Sequence, residues 1–446
     1  MVVLLREGGK AQAGRLESAV SEATGYLVGQ VRGNGYVSAS SSYGFYNMHW
    51  IRDASFVSIG LLDAAAFLKS KDSRLAEEAR KAAGRINSFH CKIIDANAGR
   101  MERALGISLE DPGFLMLENH IQARVGVDGD FYRGRVLDAH GNNFDVDDTR
   151  ELASLNSWQR QYDALPLMLI ALEKEARLFG IDEEKRSVLE KRGEVIAKYL
   201  GKVHVTPCAS IWEMDSDKLH PFTIGAIDRA FDSLKYFSRI GAVSISEKEI
   251  VAIAEGLYRT GSGGGPVEFL KRHICEDVVY RLREPFREVD LQSGVDLSAI
   301  YLFTRFGMGE KLGAGVERRT MERVEKDRFR GNALGTRYDG DVYFKGGRWI
   351  LSVELAMYAA QKGEIQKASE IVAYVMDKYG NDLPEQEIVD PESPRSIEGE
   401  MDLRRNGGNA IQRLAWSYAS MITAISTIFQ SLEGRREAFI EIARQA

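Results

Sequence analysis

Residues 163–200 read DALPLMLIALEKEARLFGIDEEKRSVLEKRGEVIAKYL, with apolar residues at three- and four-residue spacing from Asp163 to Phe179 and again from Glu183 to Leu200. That spacing lines one side of an α-helix, so the stretch predicts two helices joined by a short turn. The same periodicity recurs along nearly the whole chain, at Gln12–Val31, Ala54–Leu68, Arg74–Ile94, Phe114–Ala123, Ile224–Ile240, Glu247–Tyr258, Val267–Cys275 and Asp296–Phe306. It continues at Trp349–Gln361, Ile365–Tyr379 and Ala410–Gln430, with a last helix from Arg436. Sustained alternating strands are hard to find. Consecutive helices on mostly short connections predict an all-α fold, a helical barrel or solenoid, rather than an α/β one. Two connections are long, Val125–Asn156 and Asp382–Asn409. If the hairpins stand in a ring, every second loop falls on one face, and long loops there build one pocket.

The 446 residues are 44% hydrophobic and 28% charged, which is the composition of a soluble globular protein. A net charge of -6 without any basic block argues against nucleic acid. The first ten residues, MVVLLREGGK, place a short apolar run directly before charge, unlike a secretory signal, so a cytoplasmic location is expected. Cys91, Cys208 and Cys275 form neither a disulfide framework nor a zinc-ligand spacing and are expected to be buried thiols. The uncharged stretch Leu414–Leu432 approaches the length of a bilayer span, but its Ser, Thr and Gln content fits an inner helix of a large soluble protein better. No membrane association is expected. The run 261–266, GSGGGP, lacks the Lys-Ser/Thr of a phosphate loop and reads as a turn.

All five tryptophans, Trp50, Trp158, Trp212, Trp349 and Trp416, sit within a few residues of acidic, Arg or Gln side chains. A large apolar face beside charged hydrogen-bonding groups suits a sugar ring and its hydroxyls. Arg52 and Asp53 supply both charges at one helix start, where a cap and a surface charge are the plain alternative. Cleaving a glycosidic bond takes one protonated and one ionised carboxyl, with environments that push their pKa values apart. Glu213, between Trp212 and Met214, has the apolar company that raises a carboxyl pKa, with Asp215 as its rival. Glu385, in the Pro-stiffened 383–387 stretch LPEQE, suits a base beside a glutamine that orients water, with Glu387 as its rival. Local chemistry leaves both choices open among 65 acidic residues.

An ordered set of segments resembles the motifs of the glucoamylase family of glycoside hydrolases, which includes glucodextranases and some trehalases. Tyr46 to Asp53 resembles the pattern Y-x-x-x-W-x-R-D. Residues 144–147, FDVD, with Trp158 and 161–166, QYDALP, resemble the following stretch rich in Trp, Gln and Asp. Residues 211–213, IWE, are similar to the segment carrying the general acid. Residues 335–343, GTRYDGDVY, with Trp349, look like G-x-R-Y-x-x-D-x-Y; 383–386, LPEQ, resemble the general-base segment; and 414–419, LAWSYA, close the set. The resemblance runs from about residue 40 to residue 425.

It implies an (α/α)6 barrel of six helical hairpins, forming one catalytic domain over residues 1–446 with neither an N-terminal β-sandwich nor a starch-binding module. It implies inversion, with Glu213 as general acid and Glu385 as general base. Arg52, Asp53 and Arg337, with the backbone near Trp212, would hold the terminal glucose, and Trp158 and Trp349 would wall the first two subsites. Tyr46, Trp50 and Trp416 complete the implied substrate-binding set. The expected reaction is exo-hydrolysis of α-glucans or short α-gluco-oligosaccharides, with α,α-trehalase and a non-catalytic sugar-binding barrel as alternatives. The seven histidines show no HxxxH or HExxH spacing, and neither a metal nor another cofactor is expected.

Overall fold

Ile51–Leu68 is buried along its length apart from Ala66 and Phe67. A helix buried all round belongs to an inner layer. The computed structural model describes residues 7–39, 49–109, 111–115, 119–125, 135–137, 143–145, 160–204, 206, 208–209, 211, 219–256, 266–267, 270, 278–279, 290–291, 297–329, 349–380, 383 and 414–445. Its helices are α1 (Glu7–Gln30), α2 (Ile51–Leu68), α3 (Ser73–Ala96), α4 (Ala98–Gly106), α5 (Ala164–Phe179), α6 (Glu183–Val203) and α7 (Pro221–Arg239). They continue as α8 (Glu247–Gly256), α9 (Ile300–Thr304), α10 (Gly309–Leu312), α11 (Ala314–Arg323), α12 (Trp349–Gln361), α13 (Ile365–Tyr379) and α14 (Ala415–Gln445). Strands among the described residues are two or three residues long.

The packing closes a ring. Helix α2 touches α5, α5 touches α7, α7 touches α9, α9 touches α12, α12 touches α14, and α14 returns to α2. The helices α1, α3, α6, α8, α11 and α13 each precede one ring member in sequence. Of these, α1, α3, α8 and α13 pack on ring helices, and α6 spans α3, α7 and α8. Met321 of α11 joins the same core. Outer helices carry one apolar stripe, seen in α6 as buried Leu189, Gly193, Ile196, Ala197 and Leu200. This is the expected (α/α)6 barrel.

Neighbouring inner helices run parallel. Phe56 meets Trp416, Gly60 meets Ala419 and Asp63 meets Thr423, advancing together along α2 and α14. Arg52–Asp163 and Asp63–Lys174 are separated by the same number of residues, so α2 and α5 advance together too. The starts of α7, α9 and α14 are level with one another, because Phe222, Tyr301 and Trp416 form one aromatic layer with Phe56. Phe56 and Trp416 stack with centroids 4.7 Å apart. This layer fills the ring, which is a packed core at that depth and not a channel.

Buried polar side chains staple the seams. Asp63 joins Lys174 at 2.5 Å and accepts from Thr423 at 2.9 Å, while Glu173 takes Arg229 at 2.6 Å and Ser233 at 2.7 Å. Arg305 meets Glu354 at 2.5 Å. At Gly60, a Cβ would sit 2.7 Å from the Ala419 Cα, so α2 and α14 approach more closely than any larger residue permits. Gly60→Ala is expected to destabilise by about 1–3 kcal/mol through overpacking, measured by urea unfolding.

Several sequence expectations are corrected. Phe114–Ala123 is not a helix in its described parts: Pro112–Leu115 is a 3-10 turn, and the chain reaches the short strand Arg124–Val125 through a bridge at Gln122. Its apolar spacing reflects burial of Phe114, Ile121 and Ala123, while Asp111 and Asn119 take local backbone groups that a helix would need for itself. The last two predicted helices are one, α14. Leu414–Leu432 lies in the inner ring as read, and among the described residues no helix is long and apolar enough to cross a membrane. The Gly261–Gly265 run and most of both long connections lie outside the described residues.

Candidate functional site

The described segments leading into α2 and α5, with the stretch at 208–211, converge at one end of the ring. His49–Trp50 pairs antiparallel with Arg124–Val125, the Ile51 amide donates to the Ala123 carbonyl at 2.9 Å, Gln122 bridges Arg160, and the Ala209 amide donates to the Arg160 carbonyl at 2.9 Å. Four stretches distant in sequence thus form one strip of extended backbone across the starts of α2 and α5.

Arg52, in the first turn of α2 beside this strip, is almost fully buried. Its Nε donates to Asp163 Oδ2 at 2.6 Å and its Nη2 to Asp163 Oδ1 at 3.2 Å. The same Nη2 donates to Gln161 Oε1, and Nη1 donates to the Ile211 carbonyl at 2.9 Å. Asp163 stands at the N-cap of α5 and Asp53 in the first turn of α2, where helix dipoles favour negative charge. Asp53 is also buried. The sequence placed Gln161 and Asp163 in the motif at 161–166 but assigned neither a role; the further signal was an aspartate and a glutamine directly before an apolar helix, with a buried arginine in need of a counter-charge.

Trp50 is buried, with the buried Arg124 guanidinium 5.6 Å from its ring. Trp416 packs in the first turn of α14 with one face against Phe56. Trp349 opens α12. Tyr46, Trp158, Trp212, Glu213, Arg337 and Glu385 lie outside the described residues, as do Asp215 and Glu387. Of the expected site, the structure describes the side chains of Trp50, Arg52, Asp53 and Trp416, and it joins Arg52 to the Ile211 carbonyl, two residues before Glu213 in sequence.

His49, inside the first motif, is buried in the protein. Its Nδ1 accepts from the Val37 amide at 3.2 Å, and its ring lies against Tyr36, Phe89 and His90. Burial, with the neighbouring His90, holds the His49 pKa well below 6.5. Burial pushes His90 down to about 3, and His120 and His204 each to about 4. The unfolded chain binds protons at these rings below about pH 6.5 whereas the native protein does not, so stability is full above that pH and falls as pH drops toward 4. Neither ring nitrogen of His90 has a hydrogen-bond partner among the described residues. His90→Leu is expected to leave stability at pH 7.5 within about 1 kcal/mol of the parent, or to raise it. It should also flatten the acid slope by up to about 1.4 kcal/mol per pH unit, one proton's worth, reached below about pH 6 in urea titrations run from pH 7.5 to 5.

Among the described residues, no group of three or more His, Cys, Asp or Glu side chains is placed to hold a metal ion. Cys91 and Cys208 are buried free thiols, pushed up by burial to about 12 and about 11, and so are poor nucleophiles.

No family profile matches the sequence, and no curated protein is similar to it in sequence. Solved structures are similar in fold. A wild-type glycosidase superposes with a TM-score of 0.68 at 18% identity, covering 94% of this chain and 98% of that one. A variant glycosidase solved in complex with glucose gives the same values. A glucoamylase from Saccharomycopsis fibuligera superposes with a TM-score of 0.52 at 13% identity, covering 94% of this chain and 96% of that one. Across nearly its whole length, the chain has the (α/α)6-barrel fold shared by these glycosidases and the glucoamylase.

Proposed function

We propose that the chain is a glycoside hydrolase, an inverting, exo-acting α-glucosidase of glucoamylase type that releases β-glucose from the non-reducing ends of α-glucans or short α-gluco-oligosaccharides. The observation that carries this reading is the end of the ring where Arg52, between Trp50 and Asp53 in the chain, donates to the Ile211 carbonyl directly before Trp212 and Glu213 in sequence. The fold shared with glycosidases, one of them solved with glucose, supports it. The aromatic layer of Phe56, Phe222, Tyr301 and Trp416 supports the exo mode, since a ring filled beneath its loops suits a blind pocket that takes a chain end.

In this reading residues 1–446 work as one catalytic barrel in the cytoplasm. Glu213 gives its proton to the glycosidic oxygen as the C1–O bond breaks. Glu385 takes a proton from a water whose oxygen bonds to C1 from the opposite face, with the two carboxyls about 6.5–9.5 Å apart to admit that water. Asp53 and Arg337 hold the terminal glucose, with Tyr46, Trp158, Trp212 and Trp349 around it. The chemistry is complete with two carboxyls and a water.

Glucose release from maltose, isomaltose, longer α-glucans and trehalose, each with and without chelator, tests this. Cleavage of the maltose, isomaltose or glucan series at an unchanged rate in chelator is the expected result. Cleavage of trehalose alone would make the protein a trehalase; binding of these sugars without any cleavage would make it a sugar-binding barrel.

A further inference from the structure

The Arg52 guanidinium is spent on the protein. Four of its N–H bonds are directed at Asp163, Gln161 and the Ile211 carbonyl, and the carboxylate and guanidinium that form the pair are both buried. A bidentate guanidinium–carboxylate pair fixes geometry more rigidly than a single hydrogen bond. The pair also spans the backbone strip from its first segment to its last. Residues 49–51 hold 123–125, Gln122 holds Arg160, and Arg160 holds Ala209; Arg52 then reaches over this ladder to grip Ile211 directly. The carbonyl it grips is the last described point before the Trp212–Glu213 step.

We propose that Arg52, locked by Asp163 and Gln161, is a positioning residue that sets the entry of the chain into Glu213, so that Asp163 and Gln161 govern protonation of the leaving group without touching substrate. The inference rests on Glu213 being the general acid. It differs from the role implied by family resemblance, in which Arg52 itself holds glucose hydroxyls. Replacing the Asp163 carboxylate by an amide turns one acceptor into a donor facing the guanidinium, which loosens the grip on Ile211. A displacement on the order of 1 Å at an acid is enough for about a 10²-fold loss.

The test compares two substrates in the full chain. A glucobiose needs its leaving oxygen protonated, whereas α-glucosyl fluoride loses fluoride unprotonated and needs only the base and water. Asp163→Asn is expected to lower kcat on the glucobiose about 10²-fold while changing turnover of the fluoride by less than about threefold, with KM little changed. Gln161→Met, a milder change should Asp163→Asn fail to fold, is expected to show the same selectivity with a smaller loss. Equal losses on both substrates, or a raised KM at unchanged kcat, would overturn the inference while leaving the hydrolase reading intact. A parent protein that cleaves neither substrate overturns both.

Discussion

Glu385→Gln is expected to cut turnover of the best glucoside by about 10²–10⁴-fold, the range for removing a general base, with the protein as stable as its parent and still binding substrate. The amide keeps the size of the side chain but cannot take a proton from water. The loss should appear in kcat, since the base acts on the attacking water and not on the bound sugar. Steady-state kinetics with the substrate KM checks the split, and undiminished turnover would move the base to a neighbour such as Glu387. The matching change at Glu213 should remove the high-pH limb of the activity profile, because only the protonated acid is active.

The largest stability effect is expected at Glu354. This residue is fully buried on α12, takes Arg305 Nε and Nη2 at 2.5–3.1 Å, and accepts from Thr304 at 3.0 Å. Arg305 also reaches Ser420, so the group joins α12 and α14 to the end of α9. Glu354→Ala leaves a buried guanidinium without its carboxylate, and a loss of about 3–5 kcal/mol is expected in urea unfolding. Combining Glu354→Leu with Arg305→Met should recover most of that loss, because apolar groups of similar volume carry no desolvation cost. A double-mutant cycle measures the coupling. If Glu354→Ala changes stability by less than about 1 kcal/mol, the pair does not hold the ring.

What the sequence revealed and what it hid follow from the range of the interactions involved. The hairpin at 163–200 was legible because an inner helix is apolar nearly all round and an outer one on a single stripe, so both leave a local period. Helix α4 and helix α11 went unread because they are short and charged, with few apolar positions to mark a face. At Phe114–Ala123 the apolar spacing was real but served packing, with His120 tied to Tyr199 and to the Phe114 carbonyl in place of a helical ladder. Arg52 and Asp53 stood out at a helix start, yet their surroundings did not: Arg52 meets partners more than a hundred residues away. No local pattern encodes a pairing at that distance. Likewise, Trp416 looked like a sugar platform from its neighbours in sequence, while its face against Phe56 emerges only from the closure of α14 onto α2.

The central claim is that this barrel hydrolyses α-glucosides with inversion. Following the anomeric proton of freshly released glucose by NMR, before mutarotation, tests it most directly. The account predicts that β-glucose appears first and α-glucose grows in later; release of α-glucose first, or no glucose from any α-glucoside, would contradict it.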